Sequence, residues 1–569
     1  MQMKNIQVLQ GLNFYSEIST TKIVFKKSIK KSDEIIKLVK EIEDLHPVFL
    51  DSYDIKENTV YIRSKLTFLW RELAETLLNL ADGKITYKEA RDYAISEVIK
   101  DRIATMSIIP LLFASQKQNH EITPTALLEE RVKYSKSINR LYTIGAGRNS
   151  QIINFASSSK DSKIAKEIQR DKWSSNLMIE RLGLPTPKWQ ILDSADQIEE
   201  IWDLYEKPVV IKPTGLTAGS GVSTGIDTIQ KAKDAFRIAK EPTKKHIGKT
   251  WQQKIMIQEQ VPGDDYRLLV IDGKLEVATK RIPAFIIGDG KSTIKELIEE
   301  TNRDPRRDTS KPTHILKPIK IDPPLLRLLE EEGLTLDSVP RKDEKITVRK
   351  VASMSQGGIT EDFTDKVGPE IKYIVESIAS SIHAFVVGAD ILCKDVSKPL
   401  TKDNGGIIEI NTKPEVYLNL YPVIGQQREE VADVHIEKLL KDNKTKKIVV
   451  IGQFAKDIPT LLKEGSIFGS YLEEGDVIGE YKENSILINS LRINSNLDKE
   501  KAIQSLKVNA LLDVIMIHHR DWADAESTGL GFDKIDMVVV KKDLSSNKTY
   551  MRMLKKYKRK GLIDKIKII

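Results

Sequence analysis

Residues 208–222 read PVVIKPTGLTAGSGV, and this stretch decides how the middle of the chain is interpreted. An apolar run ends at Lys212, and a loop follows that contains Gly215, Gly219, Ser220 and Gly221. Glycines let backbone N–H groups close over phosphates, while a lysine at a strand end supplies a fixed cation for the same oxygens. The stretch predicts a phosphate-binding loop, and an ordinary turn is the alternative.

A second polar pattern follows further along, in residues 386–395 (VVGADILCKD) and 405–414 (GGIIEINTKP). Asp390 ends or follows one apolar run, while Glu409 and Asn411 alternate along the other. Residues i and i+2 of a strand point to the same face, so these oxygens should gather. Mg²⁺ prefers a few carboxylates together with substrate phosphates. A polar exposed strand is the alternative, and the upstream loop favours the metal site.

Length and composition indicate a multidomain globular protein. The 569 residues are too many for one core and suggest three or four domains of about 150 residues each. The 90 Lys and Arg exceed the 82 Asp and Glu only slightly, so no nucleic-acid partner is expected. One cysteine, Cys393, excludes an internal disulfide. With no N-terminal signal and no apolar stretch of membrane-spanning length, we expect a cytoplasmic protein without membrane contact.

Shifts in sequence texture predict an α/β and α+β multidomain architecture. The predicted segments are an N-terminal α/β domain (1–160), a central domain (161–440), a C-terminal α/β domain (446–548) and a basic tail (549–569). Residues 66–83 have apolar side chains every three or four positions, which predicts a helix ending at Gly83. Residues 441–447, KDNKTKK, have the composition of a linker. The tail is predicted as a solvated terminal helix, with a nucleic-acid-binding patch as the alternative.

The central domain resembles the ATP-grasp domain of cyanophycin synthetases, which is related to that of bifunctional glutathione synthetases and, more distantly, to D-alanine ligases. The most specific stretch is KRIPAFIIGDGKSTIKELIEETNRDPRR at 280–307, with EEEGLTLDSVP at 330–340 and DKWSSNLMIERLGLPTPKW at 171–189. The N-terminal region is similar in outline at 8–16 and 122–159. The resemblance implies a central ATP-grasp fold.

The resemblance also implies the site of an ADP-forming carboxylate-amine ligase that uses ATP and Mg²⁺. The residues implied to bind ATP are Lys172 and Lys212 at the phosphates, the lid Gly215, Gly219, Ser220 and Gly221, Glu259 and Val261 at the purine, and Asp265 at the ribose. Arg281 and Lys212 are implied to be catalytic, with Arg281 facing the acyl phosphate. Asp390, Glu409 and Asn411 are implied to hold the metal.

The sequence departs from the family pattern at the lid and after the metal ligands. Where the family has polar or cationic lid side chains, this chain has Leu216, Thr217, Ala218 and Ser220, so two side chains near the phosphates are missing. After Asn411 the family commonly has two alanines, a proline and a glycine, and this chain has TKPE. The backbone of the lid can still close over phosphates, while the bulkier, charged TKPE segment predicts a change in which substrate end is accepted.

Residues 452–457, GQFAKD, follow an apolar run in the way that a P-loop begins. Full-length cyanophycin synthetases have a Mur-ligase-like half at this place, and only Gly452 and Lys456 of its P-loop are kept here. Asp457 replaces a hydroxyl and would repel phosphate, so the resemblance implies a truncated, degenerate Mur-ligase-like domain without a working P-loop. The adjacent His518 and His519 are either metal ligands or structural, and strand alternation favours a structural role.

Together these observations predict a peptide ligase. It would extend a peptide or cyanophycin-like polymer from amino acid or β-aspartyl-arginine units, through an acyl phosphate. Two alternatives stay open: a ligase for another amino acid or small peptide, and a non-catalytic pseudo-ligase that binds ATP. The resemblance further implies a homo-oligomer, either a dimer or a tetramer.

Overall fold

The computed structural model divides the chain into two compact units. It describes residues 3–26, 32–100, 106–125, 140–169, 172–216, 221–243, 254–454, 457–464 and 471–569. The first unit comprises residues 1–154, 311–313 and 439–569, and the second comprises 155–310 and 314–438. The two ends of the chain therefore contribute to the same unit. In the described part of the chain, no helix is both long and apolar enough to cross a membrane.

The N-terminal part of the first unit contains two antiparallel sheets and several helices. The strands are β1 (Met3–Leu9), β2 (Thr20–Phe25), β3 (Ser52–Lys56), β4 (Thr59–Arg63), β5 (Ile122–Pro124), β6 (Leu141–Ile144) and β7 (Gln151–Asn154). The helices are α1 (Ser32–Glu43), α2 (Thr67–Ala81), α3 (Tyr87–Arg91), which continues as a π-helix (Asp92–Ile99), and α4 (Ile109–Lys117). Gly83 has a φ of 68° just after α2, which confirms the predicted helix end.

The second unit holds most of the remaining elements. Its strands are β8 (Ser157–Ser158), β9 (Trp189–Leu192), β10 (Val209–Pro213), β11 (Ser223–Ile226), β12 (Ile255–Glu259), β13 (Asp264–Ile271), β14 (Lys274–Ile282), β15 (Phe285–Ile287), β16 (Lys345–Thr347), β17 (Ile359–Asp362), β18 (Val386–Cys393) and β19 (Gly405–Asn411). Its helices are α5 (Lys163–Gln169), α6 (Lys172–Arg181), α7 (Gln197–Ile201), α8 (Ile229–Thr243), α9 (Ile294–Asn302), α10 (Pro323–Glu331), α11 (Pro369–Ser381), α12 (Tyr417–Leu420) and α13 (Glu430–Leu440).

Two antiparallel sheets organise this second unit. One has the strand order β11-β10-β12-β9, and the other has the order β17-β14-β13-β18-β19. Alternation along β13 places Tyr266, Leu268 and Val270 in the apolar core, which also contains residues of α11. The intervening residues Asp265 and Arg267 therefore lie on the other face of the sheet, where the polar side chains of the site gather.

The C-terminal part of the first unit is built around a seven-stranded sheet. Its strands are β20 (Lys446–Ile451), β21 (Ile478–Lys482), β22 (Ser485–Ile488), β23 (Leu491–Ser495), β24 (Val514–His519), β25 (Ile535–Val540) and β26 (Ile563–Ile568). Its helices are α14 (Ile458–Glu464), α15 (Lys499–Val508), α16 (Trp522–Thr528) and α17 (Lys548–Arg559). The strand order is β23-β22-β21-β24-β20-β25-β26. The five neighbouring strands β21, β24, β20, β25 and β26 are all parallel to one another. Their continuous apolar runs are typical of parallel strands covered on both faces.

The basic segment 549–569 differs from its prediction as a solvated terminal helix. Met551, Leu554 and Tyr557 of α17 are buried, and the final strand β26 pairs in parallel with β25. The apolar positions recur every three residues between lysines and arginines, which is typical of an amphipathic helix. The prediction was wrong because it considered the high charge of the segment and not this spacing. The segment is an integral part of the sheet domain.

Two buried ion pairs join distant parts of the first unit. Lys507 Nζ lies 2.6 Å from Glu121 Oε2, and Lys65 Nζ lies 3.3 Å from Asp533 Oδ2. All four side chains are at most 7% exposed. Because an unpaired buried charge is costly, these pairs require both segments of the unit to be in place.

The GQFAKD stretch begins directly after β20. Gly452 has a φ of 117°, and its N–H donates to the carbonyl of His519 at 2.9 Å. Residues 455 and 456 lie outside the described residues, so the loss of P-loop function remains a prediction. His519 Nδ1 lies 2.8 Å from Lys499 Nζ, and burial holds its pKa well below the usual range. His518 instead contacts Glu480 at 2.9 Å. These separate partners support structural roles for both histidines.

Candidate active site

Lys212 lies on β10 with its side chain almost fully buried. Its Nζ donates a hydrogen bond of 2.5 Å to Oε1 of Gln258 on the neighbouring strand β12. Burial, and then the positive charge of Lys172, lower the pKa of Lys212 to about 7, and Glu409 opposes this change. A bound anion would stabilise the ammonium form. The site therefore contains a cation that gains most from a negatively charged ligand.

Gln258 is a buried polar residue of β12 whose side chain had no predicted role. Its Nε2 is buried and has no hydrogen-bond partner among the described protein atoms. A buried donor without an acceptor is unfavourable, and a phosphate or purine would supply that acceptor. The signal in the sequence was a polar residue within the otherwise apolar run IMIQ at 255–258.

Lys172 begins α6 and connects the glycine-rich loop to β19. Its Nζ donates to the carbonyl of Leu216 at 2.9 Å and lies 3.3 Å from Glu409 Oε1. The backbone N–H of Lys172 also donates to the carbonyl of Thr214 at 3.1 Å. Two lysines and a carboxylate thus meet where the predicted phosphate loop leaves β10.

Asp390 lies at the centre of a row of alternating charges on the polar face of the five-stranded sheet. Arg267 Nη2 donates to Asp390 Oδ2 at 3.0 Å, and Arg281 Nη2 lies 3.1 Å from the same oxygen. Arg281 also contacts Asp265 Oδ1 at 2.6 Å. Burial opposes ionisation of Asp390, but the two arginines outweigh it and lower the pKa. Asp390 is therefore charged in the folded protein at neutral pH.

Asp265, implied to bind the ribose, instead has Arg281 as its direct partner. The two residues are opposite each other in the β13–β14 register. Burial raises the pKa of Asp265, although the charge of Arg281 lowers it. The ribose contact of Asp265 stays a prediction. A ribose hydroxyl would have to share this carboxylate with Arg281. Arg267 was missed, although its position two residues after Asp265 predicts the same strand face.

The three residues implied to hold the metal lie on the paired strands β18 and β19. Asp390 is directly opposite Glu409 in the register, and Asn411 follows two residues later. The register brings these residues together as predicted, although Asp390 lies within β18 and not at its end, and the role as metal ligands stays a prediction. Asn411 Oδ1 accepts the N–H of Lys413 at 2.8 Å.

The donor set fits Mg²⁺ better than a metal that needs a complete protein cage. Among the described residues, no three His, Cys, Asp or Glu side chains gather as a metal centre. Two carboxylates and one amide oxygen leave most positions of an octahedral ion to water or phosphate. A carboxylate has about four acceptor sites, and the contacts with Arg267 and Arg281 use three of those of Asp390, which leaves one for a cation.

The other residues implied to bind ATP are spread along the loop and β12. Gly215 precedes the carbonyl that Lys172 contacts, and Gly221 has a φ of 71°, which favours glycine. Glu259 ends β12 and accepts the N–H of Glu206 at 3.2 Å, and Val261 follows in irregular backbone. Gly219 and Ser220 lie outside the described residues, and their role as a lid stays a prediction.

The chemistry available here is the binding and transfer of an anionic group. Lys172 and Lys212 supply positive charge on one side, and Arg281 supplies it on the other. Asp390, Glu409 and Asn411 supply oxygen ligands for a cation. Such a combination suits phosphoryl transfer, in which positioning and electrostatic stabilisation account for most of the catalysis.

Comparison with known proteins agrees with this arrangement. Residues 170–282 match the family described as the phosphoribosylglycinamide synthetase ATP-grasp (A) domain. The chain is 33% identical over 316 residues to cyanophycin synthetase from Geminocystis herdmanii, which covers 55% of this chain and 35% of that protein. It is 31% identical over 271 residues to the bifunctional glutathione biosynthesis protein GshAB from Clostridium perfringens, covering 48% of this chain and 34% of the relative.

Among solved structures, a bifunctional glutathione synthetase from Pasteurella multocida is similar with a TM-score of 0.46 and 23% identity, over 65% of this chain and 49% of that one. The chain spans about a third of the length of the curated relatives it matches. The sequence matches confirm the predicted resemblance to cyanophycin synthetases and the central ATP-grasp domain of a mixed α/β multidomain protein.

Proposed function

We propose that this protein is an ATP- and Mg²⁺-dependent carbon-nitrogen ligase that forms ADP, phosphate and an amide. The observation that carries the proposal is the meeting of Lys172 and Lys212 with Glu409, next to the strand that bears Asp390. Cations for a phosphate chain and oxygens for a divalent ion thus face one region. The ATP-grasp match over residues 170–282 supports the same reading.

The proposed reaction has two steps. A substrate carboxylate oxygen attacks the terminal phosphorus of ATP, and the bond to the ADP oxygen breaks, giving an acyl phosphate. The amine nitrogen then attacks the acyl carbon, phosphate leaves, and the amine loses a proton. Every species on this path carries negative charge, so stabilisation by fixed cations is the main requirement.

The side chains have distinct tasks in this scheme. Lys172 and the protonated form of Lys212 bind phosphate oxygens, and Gln258 supplies an additional N–H donor. Arg281, held between Asp265 and Asp390, stabilises charge on the acyl phosphate. Asp390, Glu409 and Asn411 would hold Mg²⁺, which neutralises phosphate charge when bound.

The substrate we propose is a peptide, extended at its carboxyl end by an amino acid or a dipeptide. The similarity to cyanophycin synthetases supports a cyanophycin-like product, with β-aspartyl-arginine as one candidate unit. The TKPE segment at 412–415 supports a different amino acid as the second candidate, because it places a lysine and a glutamate beside Asn411. We also propose a homo-oligomer, as the family resemblance implies.

The experiment is an assay of amine-dependent phosphate release by the full chain with ATP and Mg²⁺. Panels of amino acids, β-aspartyl-arginine and a cyanophycin primer identify the substrate. Lys212→Met should reduce turnover roughly a hundredfold or more, as for the loss of a transition-state donor. Lys231→Met is the matched control, because Lys231 is exposed on α8 and pairs with Asp227. Lys456→Ala should also leave turnover unchanged.

Three outcomes would count against the proposal. ATP binding without phosphate release under any panel would favour the pseudo-ligase. Release with free amino acids but not with β-aspartyl-arginine or primer would exclude the cyanophycin-like product. Equal loss in Lys212→Met and Lys231→Met would show that the buried lysine has no special role.

A further inference from the structure

Helix α17 has one strongly basic face that the proposed ligase site does not use. Lys548, Arg552, Lys555 and Arg559, here called the basic stripe, are spaced at i, i+4, i+7 and i+11 and are all exposed. At 3.6 residues per turn these positions form one row along the helix. The row is about 16 Å long at 1.5 Å per residue.

The basic stripe is fixed in place by the rest of the first unit. Leu554 and Tyr557 are buried on the opposite side of the helix, and Met551 is buried at the edge of the stripe. The hydroxyl of Tyr557 donates to the carbonyl of Asn13 at 2.6 Å and lies 2.9 Å from that of Ser16. The helix therefore cannot rotate to hide its charges without losing core contacts and these hydrogen bonds.

Within the described parts of the chain the stripe cations have no carboxylate partners, in contrast to their neighbours on the same helix. Lys556 and Lys560 lie 3.2 Å and 2.6 Å from Glu17. Among the residues that the structure describes, none of the four stripe side chains forms an ion pair. Like charges at i, i+4 destabilise a helix, so an uncompensated row gains from an external anion.

We propose that the basic stripe binds an acidic polypeptide segment in extended conformation. Side chains on one face of an extended chain repeat about every 6.6 Å, close to the 4.5 to 6 Å steps between successive stripe residues. About five extended residues span the row, so three acidic residues at alternate positions can face its four cations. The stripe and the adjacent Lys558 and Met551 line a shallow groove that gives such a segment a place to lie.

Other anionic partners fit the groove less well. Binding of single-stranded nucleic acid usually adds aromatic side chains on which bases stack, and the residues lining this groove include none. An interfacial membrane helix would insert its apolar face, but here that face is buried in the core. Charge complementarity with an acidic peptide needs neither feature.

The test uses the full chain and a fluorescein-labelled peptide of alternating glutamate and serine. Fluorescence anisotropy measures binding at low ionic strength and again at higher salt, because exposed charge pairs are screened by salt. Arg552→Gln together with Lys555→Gln removes two stripe charges and should weaken binding roughly two- to thirtyfold. Lys556→Gln with Lys560→Gln removes two charges from the same region and should change binding less than twofold. Circular dichroism verifies that both double variants are folded.

Three results would overturn the proposal. The first is absence of peptide binding by the folded wild-type protein at low salt. The second is equal weakening by the two double variants, which would indicate attraction by net charge alone. The third is tighter, stripe-dependent binding of a DNA oligonucleotide or of phosphatidylserine vesicles, which would assign the surface to another partner. Weaker peptide binding by the Arg552→Gln, Lys555→Gln variant alone would support the proposal. These outcomes do not depend on ligase activity.

Discussion

Replacing Lys212 with methionine should stabilise the ligand-free protein, and the gain should shrink as the pH rises. Burial lowers the pKa of this lysine from 10.5 to about 7 in the folded protein. Between these two pH values the unfolded chain binds a proton that the folded protein has released. The wild-type stability therefore rises with pH across this range, and the uncharged variant lacks this contribution.

The magnitude follows from the pKa difference. The pKa of Lys212 is lowered by about 3.5, and each pKa unit corresponds to about 1.4 kcal/mol. Below pH 7 this lowers the free energy of unfolding of the wild type by about 5 kcal/mol. The methionine leaves Oε1 of Gln258 without its donor, at a cost of about 1–3 kcal/mol. We therefore expect a net gain of about 2–4 kcal/mol at pH 7. Between pH 7.5 and 9.5 that gain should fall by about 3 kcal/mol.

Urea unfolding followed by circular dichroism at several pH values measures this difference. Lys231→Met is the control, because its side chain is 62% exposed and its effect should not vary over the same pH range. A Lys212→Met effect that is constant from pH 7.5 to 9.5 would refute the reasoning. It would mean that Lys212 keeps an ordinary pKa and that the site holds no neutralised lysine.

Other substitutions test the buried charges and hydrogen bonds. Asp390→Asn should lower the free energy of unfolding by about 3–5 kcal/mol, because two arginines lose a buried carboxylate, and urea unfolding should detect this. Glu121→Gln should lower the free energy of unfolding by a similar amount, because it leaves Lys507 unpaired. Adding Lys507→Met should restore part of that stability, and no recovery would mean that the pairing is unimportant. Tyr557→Phe removes a buried hydroxyl bond and should cost about 1 kcal/mol in thermal unfolding, whereas no change would mean that water replaces it.

Much of the polar geometry could be predicted from local patterns. Alternation alone placed Glu409 and Asn411 on one face and Asp390 on the neighbouring strand, and the register confirms it. The helix ending at Gly83 followed from its apolar periodicity. These features depend on residues close together in the chain, where period and turn chemistry carry the information.

The partners of these residues could not be predicted in the same way. Arg267 and Asp390 are 123 positions apart, and they meet only because β13 pairs with β18. Strand order is a property of the whole sheet, so no short pattern specifies it. The same holds for the burial of α17, since the core that receives Met551 and Leu554 is assembled from several distant segments.

The discontinuous first unit has a consequence for folding during synthesis. Its two main segments are separated by the second unit, which occupies most of residues 155–438. Glu121 can form its ion pair only after Lys507, 386 positions later, has been synthesised. At 5–20 residues per second, a ribosome needs roughly 15–60 s to pass through the intervening stretch. The second unit can fold during that time, while the N-terminal segment carries unpaired charges and uncovered apolar strands. The newly made chain thus has a period in which residues 1–154 are exposed to chaperones or proteases, because the segment 439–569 that completes their unit has not yet been synthesised.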